Sequence, residues 1–400
     1  MTPAQRAHTD PIVILEGART PIGSFGGVLK DVPAHELGAI AVTEALRRAG
    51  VDPAEGGIGE VVMGNIGQVG PDAYNARRVA LAAGLPENTP AFTVNRLCGS
   101  GLQSIWSAAQ ELRWGGIDMA VAGGDENMSR MPFYDFGARS GYKLGDRTLY
   151  DGTVLMLTDP FTGAHMGVTA ENVASEYGVS RADQDAFALR SQQRAASEQA
   201  RAAFAEEIVP VEVAGRKPVT ISVDQHPKPE TTLEVLGGLR AAFAKDGTVT
   251  AGNASGINDG AAAVVLTRAA HAAERGLKPL VTLEAVTTAA NEPRLMGYAP
   301  TYALRRLFET TGLAPSDIGV VELNEAFASQ ALAVMRDTGL SDEQTNPYGG
   351  AIALGHPVGA TGAILVVRAM KHMIRHDLEF GIVTMCIGGG QALAALLKRA

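Results

Sequence analysis

Cysteine is nearly absent from this chain of 400 residues: there are two, Cys98 and Cys386, far apart and with no Cys-x-x-Cys pair. That excludes a disulfide framework and argues against structural zinc. Aromatic residues are scarce, at 5%, and positive charge is outnumbered, with 34 Lys and Arg against 43 Asp and Glu and a net charge of -9. No basic block is present, so neither nucleic acid nor an anionic membrane surface is an expected partner. An anionic small substrate remains compatible with local positive charge. No stretch approaches the length of a membrane span, and the opening residues MTPAQRAHTD lack the apolar core of a signal peptide. The expectation is a soluble protein of the cytoplasm, a reducing compartment that suits unpaired thiols.

What is plentiful is glycine, 47 residues in a chain that is 46% hydrophobic. Such a length predicts two or three domains with a large core. One cysteine sits in Asn95 to Leu102, NRLCGSGL, between a short apolar strand (Ala91 to Val94) and a helix whose apolar face runs Leu102, Ile105, Trp106, Ala109, Leu112. A thiol at a helix N-terminus meets unpaired backbone N–H groups, and the expectation is a lowered pKa and a nucleophile. A lone cysteine is more often a small buried hydrophobe, so the rest of the chain has to decide.

The remaining elements alternate. Strands are expected at Ile12 to Leu15, Gly59 to Met63, Ile117 to Ala122 (ending in Gly123-Gly124), Ala261 to Leu266, Val320 to Leu323 and Ile382 to Met385. Helices are expected at about Ala34 to Ala49, Asp72 to Ala83, Arg181 to Ala203, Ala303 to Thr311, Ala326 to Met335 and Ala363 to His376, with Gly50 and Gly312 as closing residues. LRRAG followed by GEVVMGN in the first half parallels ETTGLAPSDIGVVELN in the second. Duplicated βαβ units imply two similar halves whose strand-end loops face one crevice. The residues from 129 to 247 break the pattern and read as an inserted loop domain. The division expected is 1–128 with 248–276, the insertion at 129–247, and 279–400.

Three more glycine-rich turns hold reactive side chains: Asn324 in NEAFA, His356 in GGAIALGHPVGATG and Cys386 in CIGGG. Singly, each has a plain structural reading, a helix cap for Asn324 and a turn residue for His356. Jointly they supply a nucleophile, a base and oxyanion donors.

At this point the chain resembles the thiolases, the acetyl-CoA acetyltransferase and 3-ketoacyl-CoA thiolase family. The resemblance rests on ARTPIGSFGG, NRLCGSGL, GGDENMS, HMGVTAENVA, TAGNASGINDGAA, ELNEAFA, GGAIALGHPVGATG and TMCIGGGQ, in order over nearly the whole chain. It implies a five-layered α/β fold of two βαβαβαββ halves with an inserted loop domain, assembled as a homodimer or homotetramer. It implies that Cys98 takes the acyl group, that His356 activates it, and that Cys386 is the acid/base at the substrate α-carbon. By the same resemblance Asn324 serves one oxyanion hole with His356, while the N–H groups of Cys98 and Gly388 form another. Ser255, His165 and Met166 match contacts to the pantetheine arm of coenzyme A, and Lys228 stands near the expected adenine end. No metal and no separate cofactor are implied, since coenzyme A thioesters are the substrates: acetyl-CoA with an acyl-CoA, or a 3-ketoacyl-CoA with coenzyme A. Two rivals are a ketoacyl-synthase-type condensing enzyme, which would lack the second cysteine, and a non-catalytic acyl-CoA-binding relative, which would be expected to lose one of Cys98, His356 and Cys386. Tyr298 and Tyr302 depart from a Gly-Pro-x-Pro-Ala pattern and are expected to reshape the acyl end of the pocket, as is the stretch 131 to 166.

Overall fold

The computed structural model describes residues 9–55, 57–68, 70–114 and 116–400. Its strands are β1 (Ile12–Arg19), β2 (Gly23–Ser24), β3 (Ile58–Gly64), β4 (Ala91–Val94), β5 (Met119–Asn127), β6 (Phe133–Tyr134), β7 (Tyr150–Asp151), β8 (Val211–Val213), β9 (Val219–Ile221), β10 (Asn258–Arg268), β11 (Val281–Ala290), β12 (Val320–Leu323), β13 (Phe380–Ile387) and β14 (Gln391–Arg399). The main sheet runs β12-β13-β14-β11-β1-β10-β5-β3-β4, with β2 on β10. Its middle is a seam, because β1 and β11 share only the pairs Val13–Thr282 and Ile14–Val281. Read outward from that seam, the two sides repeat. β1-β10-β5 and β11-β14-β13 are antiparallel, and then β3 and β12 each join in parallel.

The two half-sheets face each other across a pair of helices, Ser100–Trp114 and Thr361–His376. Leu102, Ile105 and Leu112 of the first and Ile364, Val367 and Met370 of the second form one core with inward residues of both half-sheets. Side chains alternate along a strand, so β10 sends Ala262, Val264 and Leu266 into that core and Ala261, Ala263 and Val265 outward. The outward set packs on the helix Ala34–Ala49, and the helices Ala299–Thr311 and Ala328–Thr338 cover the second half-sheet in the same way. The result is five layers, helix, sheet, helix, sheet, helix.

The central helices meet at their N-termini because two positions there carry no side chain. A Cβ on Gly362 would lie 2.2 Å from the Leu102 backbone nitrogen, and one on Gly101 would lie 2.8 Å from that of Ala363. This contact sets the loop before one helix, which holds Cys98, beside the loop before the other, which holds His356.

Several expectations change. β5 does not end at Gly123-Gly124 but continues to Asn127, since a Cβ at Gly123 would meet the Ala262 carbonyl at 2.2 Å and the glycines are there for close packing. The expected helix from Arg181 to Ala203 is two, Arg181–Ala195 and Glu198–Glu207, because the Ser197 hydroxyl caps the second through the Ala200 N–H at 3.1 Å. β11 and β14 were not anticipated. QALAALLKR has helical composition, and its place between β11 and β13 overrides that preference. Between Met128 and Thr248 the described residues form the hairpins β6/β7 and β8/β9 and five α-helices, and no strand there joins the main sheet.

Candidate active site

Cys98 stands in the tight connection from β4 to the helix Ser100–Trp114. The turn is held locally: the Ser100 hydroxyl donates to the Leu97 carbonyl at 2.7 Å and accepts from the Arg96 N–H at 2.9 Å. Leu97 has φ +48°, a left-handed conformation that a γ-branched residue adopts only under constraint. The half-buried Cys98 side chain is thereby aimed into the crevice. Its thiol does not behave as the helix position alone suggests. Burial pushes it up to about 11, the N–H groups of Gly388 and of Cys98 itself pull the other way, and the charge of Glu126 adds to the rise. The expected pKa drop is therefore corrected: desolvation outweighs the helix terminus, and the resting group is a neutral thiol.

Such a thiol needs a base before it can react, and the His356 imidazole is held in a form able to accept a proton. Its Nδ1 lies 2.7 Å from the Thr361 Oγ1, whose hydroxyl also reaches the Pro357 carbonyl at 2.9 Å. A carbonyl only accepts, so the hydroxyl hydrogen goes to Pro357 and the imidazole must donate from Nδ1. The neutral ring then carries its lone pair on Nε2. Burial lowers the His356 pKa to about 4, which keeps the ring unprotonated at neutral pH. The His356 backbone N–H donates to the Asn258 Oδ1 at 2.9 Å and fixes the loop.

Asn324 is fully buried, with its Nδ2 3.4 Å from His356 Nε2. Its Oδ1 has no hydrogen-bond partner. The helix-cap reading fails, since the helix Ala328–Thr338 is capped at Phe327. Cys386, at the end of β13, is completely buried, and its thiol is driven well above the usual range by burial and by the neighbouring Cys98.

One cavity of about 370 Å³ joins these groups: Cys98, His356 and Cys386 line it together with Ser255, His165 and Met166. Phe243 and Phe327 form part of its apolar wall. His165 caps its own helix, with Nδ1 accepting from the Gly167 N–H at 3.1 Å, and stacks on Phe243 at 4.9 Å. A second cavity of about 450 Å³ lies on the other side of Met166 and includes Gly388 and Leu97.

The same chain matches known sequences along both halves. Residues 12–270 match the thiolase N-terminal domain and residues 277–399 the thiolase C-terminal domain. The chain belongs to the thiolase family. A beta-ketothiolase of Cupriavidus necator is 49% identical over 98% of this chain and 100% of its own length. A probable acetyl-CoA acyltransferase of Staphylococcus aureus is 46% identical over 97% of this chain and 99% of its own. The acetyl-CoA acetyltransferase of Bacillus anthracis superimposes with a TM-score of 0.95 at 40% identity, covering 98% of this chain and 99% of that one. Human mitochondrial 3-ketoacyl-CoA thiolase in complex with CoA gives 0.94 at 40% identity, covering 98% of this chain and 99% of that one. This thiolase is accordingly an acyltransferase, and neither the ketoacyl-synthase-type nor the non-catalytic reading is favoured.

Not every residue anticipated for the thiolase site converges on it. Lys228 is exposed and lines neither cavity; its backbone N–H donates to Gln192 Oε1 at 2.8 Å. Tyr298 and Tyr302 do not shape the pocket. Tyr298 is buried against Tyr177 at 3.9 Å with its hydroxyl on Asp337, and Tyr302 packs edge-on to it at 5.5 Å. The wall there is Met296. Stretch 131 to 166 does border the site, supplying Leu157, His165 and Met166 to the first cavity and Met131, Phe136, Leu155 and Met156 to the second. Thr361 and Asn258, which orient His356, were missed, although both lie inside motifs quoted above. No helix among the described residues is long and apolar enough to cross a membrane.

Proposed function

We propose that this thiolase reversibly joins acetyl-CoA to an acyl-CoA through an acyl group carried on Cys98, and cleaves 3-ketoacyl-CoA in reverse. The observation that carries the reading is the convergence of Cys98, His356 and Cys386 on one cavity from two glycine-rich loops and the end of β13. His356 Nε2 takes the Cys98 proton as the sulfur attacks the thioester carbonyl. The oxyanion sits at the N–H groups of Cys98 and Gly388, and the departing coenzyme A thiolate receives the proton back. A second acetyl-CoA then occupies the cavity; His356 Nε2 takes the Cys386 thiol proton, the Cys386 thiolate takes the α-proton, and the enolate oxygen accepts from the His356 Nε2–H beside Asn324. The carbanion attacks the acyl carbon and expels the Cys98 thiolate, which takes the proton from His356 and returns both groups to their neutral resting forms. Ser255, His165 and Met166 hold the pantetheine arm, and Lys228 stands outside the cavity toward the adenine end. The chemistry runs on the thioesters themselves, without metal or added cofactor.

The second cavity, next to Gly388 and walled by Leu97, Met131, Phe136 and Leu155, takes the acyl chain of longer substrates. Each methylene buried there contributes about 0.8 kcal/mol. Brief exposure to acetyl-CoA or octanoyl-CoA, followed by peptide mass spectrometry, should place both acyl groups on Cys98. Acetyl found only on Cys386 would sink the assignment, and failure of octanoyl to label would sink the chain-length reading.

The working form is a homodimer or homotetramer in the cytoplasm. Among the described residues β4 pairs only with β3, which leaves one main-chain edge open for a second copy, with Phe92 partly exposed on it. Light scattering that gives a monomer at micromolar concentration would exclude this assembly.

A further inference from the structure

The mechanism above leaves one buried carboxyl beside the site without a task. Glu126, the penultimate residue of β5, is 1% exposed, and among the described residues no Lys, Arg or His forms an ion pair with it. Its carboxyl is instead filled by backbone donors. Oε2 accepts from the N–H of Ile66 at 3.1 Å and of Gly359 at 3.0 Å, while Oε1 accepts from the N–H of Gly67 at 3.0 Å. Asn65 Nδ2 lies 3.5 Å from Oε1.

These donors belong to different halves of the molecule. Ile66 borders the second cavity together with Leu97, the residue before Cys98. Gly359 lies between His356 and Thr361, the residue that fixes the His356 tautomer. Two glycines make room for the carboxyl: a Cβ on Gly359 would stand 2.5 Å from Oε2, and one on Gly67 would stand 3.0 Å from Oε1. A glutamine would have one oxygen for three backbone donors, and its NH2 would face an N–H, leaving a buried donor unpaired.

Building on the roles assigned to Cys98 and His356, we infer that Glu126 is a positioning residue: its carboxyl ties the His356 loop to the Cys98 side of the cavity, close enough that, once ionised, it opposes a thiolate at Cys98. Burial raises Glu126 to about 8, and the N–H groups of Gly67, Ile66 and Gly359 oppose that rise by favouring the carboxylate they hold. The titratable groups facing Cys98 are Glu126, Cys386 and His356, and those facing Glu126 are Asp125 and, through it, Asp72.

The test uses three single variants, one double variant and two readouts. In Glu126→Gln, acetyl transfer from acetyl-CoA to labelled coenzyme A should fall about a hundredfold, the scale of a misplaced catalytic group, with KM little changed. The pH midpoint of Cys98 alkylation by iodoacetamide should move down, because the opposing charge is gone. Glu126→Asp keeps the charge but is too short to span both loops, so it should slow transfer without moving the midpoint. Gly359→Ala drives Oε2 away and should slow transfer as well. Combined with Glu126→Gln it should cost no more than the worse single change, since both break one contact. A folded Glu126→Gln at the wild-type rate, an unmoved midpoint, or losses that multiply in the double variant would each overturn the inference. If Glu126→Gln does not fold, Glu126→Asp and Gly359→Ala carry the test. A wild-type protein that takes no acetyl group would instead overturn the proposed function, and alkylation would still report on Glu126.

Discussion

A Cys386→Ala variant should still exchange acetyl groups between acetyl-CoA and coenzyme A while making no acetoacetyl-CoA, and a Cys98→Ala variant should do neither. Exchange needs only a thioester bond made and broken at Cys98, with His356 moving the sulfur proton. No carbon-bound proton moves. Condensation needs a base at the α-carbon, and general-base groups contribute on the order of a hundredfold to ten-thousandfold. The two thiols share one cavity, and a charge on Cys98 opposes the ionisation of Cys386. Acylation leaves Cys98 a thioester that cannot ionise, so Cys386 is then the thiol in the cavity that can give its proton to His356 and act as a base. Removing Cys386 therefore raises one barrier and spares the other. Label exchange run beside acetoacetyl-CoA formation separates the cases. If Cys386→Ala abolished exchange as fully as Cys98→Ala while remaining folded, the division of labour would be untenable.

The glycine-bounded turns made much of this legible in the sequence. Gly50 and Gly312 close their helices in the left-handed conformation expected of them, at φ 69° and 72°. The reading of two similar halves reappears in the matched strand senses of β1-β10-β5-β3 and β11-β14-β13-β12. What was not legible depends on distant neighbours. Nothing in QALAALLKR shows that it will lie between two strands, and nothing near Cys98 shows how far water will be excluded from it. The helix terminus is local and readable, but the desolvation that overrides it comes from the second half folding over the loop: a Cβ on Gly99 would meet Ile387 Cδ1 at 2.5 Å. Glu126 was hidden for the same reason, since the donors it serves lie 60, 59 and 233 residues away.

The second large effect concerns His356 and is read from pH. His356→Ala should lower acetyl exchange on the order of a hundredfold or more, because it removes the base. Asn324→Ala should mainly slow condensation, where the enolate forms. The wild-type acid limb then distinguishes a buried base from an ordinary one. His356 accepts a proton only when neutral, and burial sets its folded pKa at about 4, so the competent form persists down to that pH. At pH 5.5 an ordinary histidine, with a pKa near 6.5, would be about nine-tenths protonated and exchange would have fallen roughly tenfold. Here exchange should be nearly undiminished. Burial also has a cost in stability: the unfolded chain binds the proton from about 6.5 downward and the folded one does not, so stability falls as pH drops from about 6.5 toward about 4. Circular dichroism at each pH keeps that loss apart from titration of the base. An acid limb centred near 6.5 in protein that is still folded would mean that water reaches the imidazole, and the neutral thiol and neutral imidazole described for the resting site would have to be abandoned.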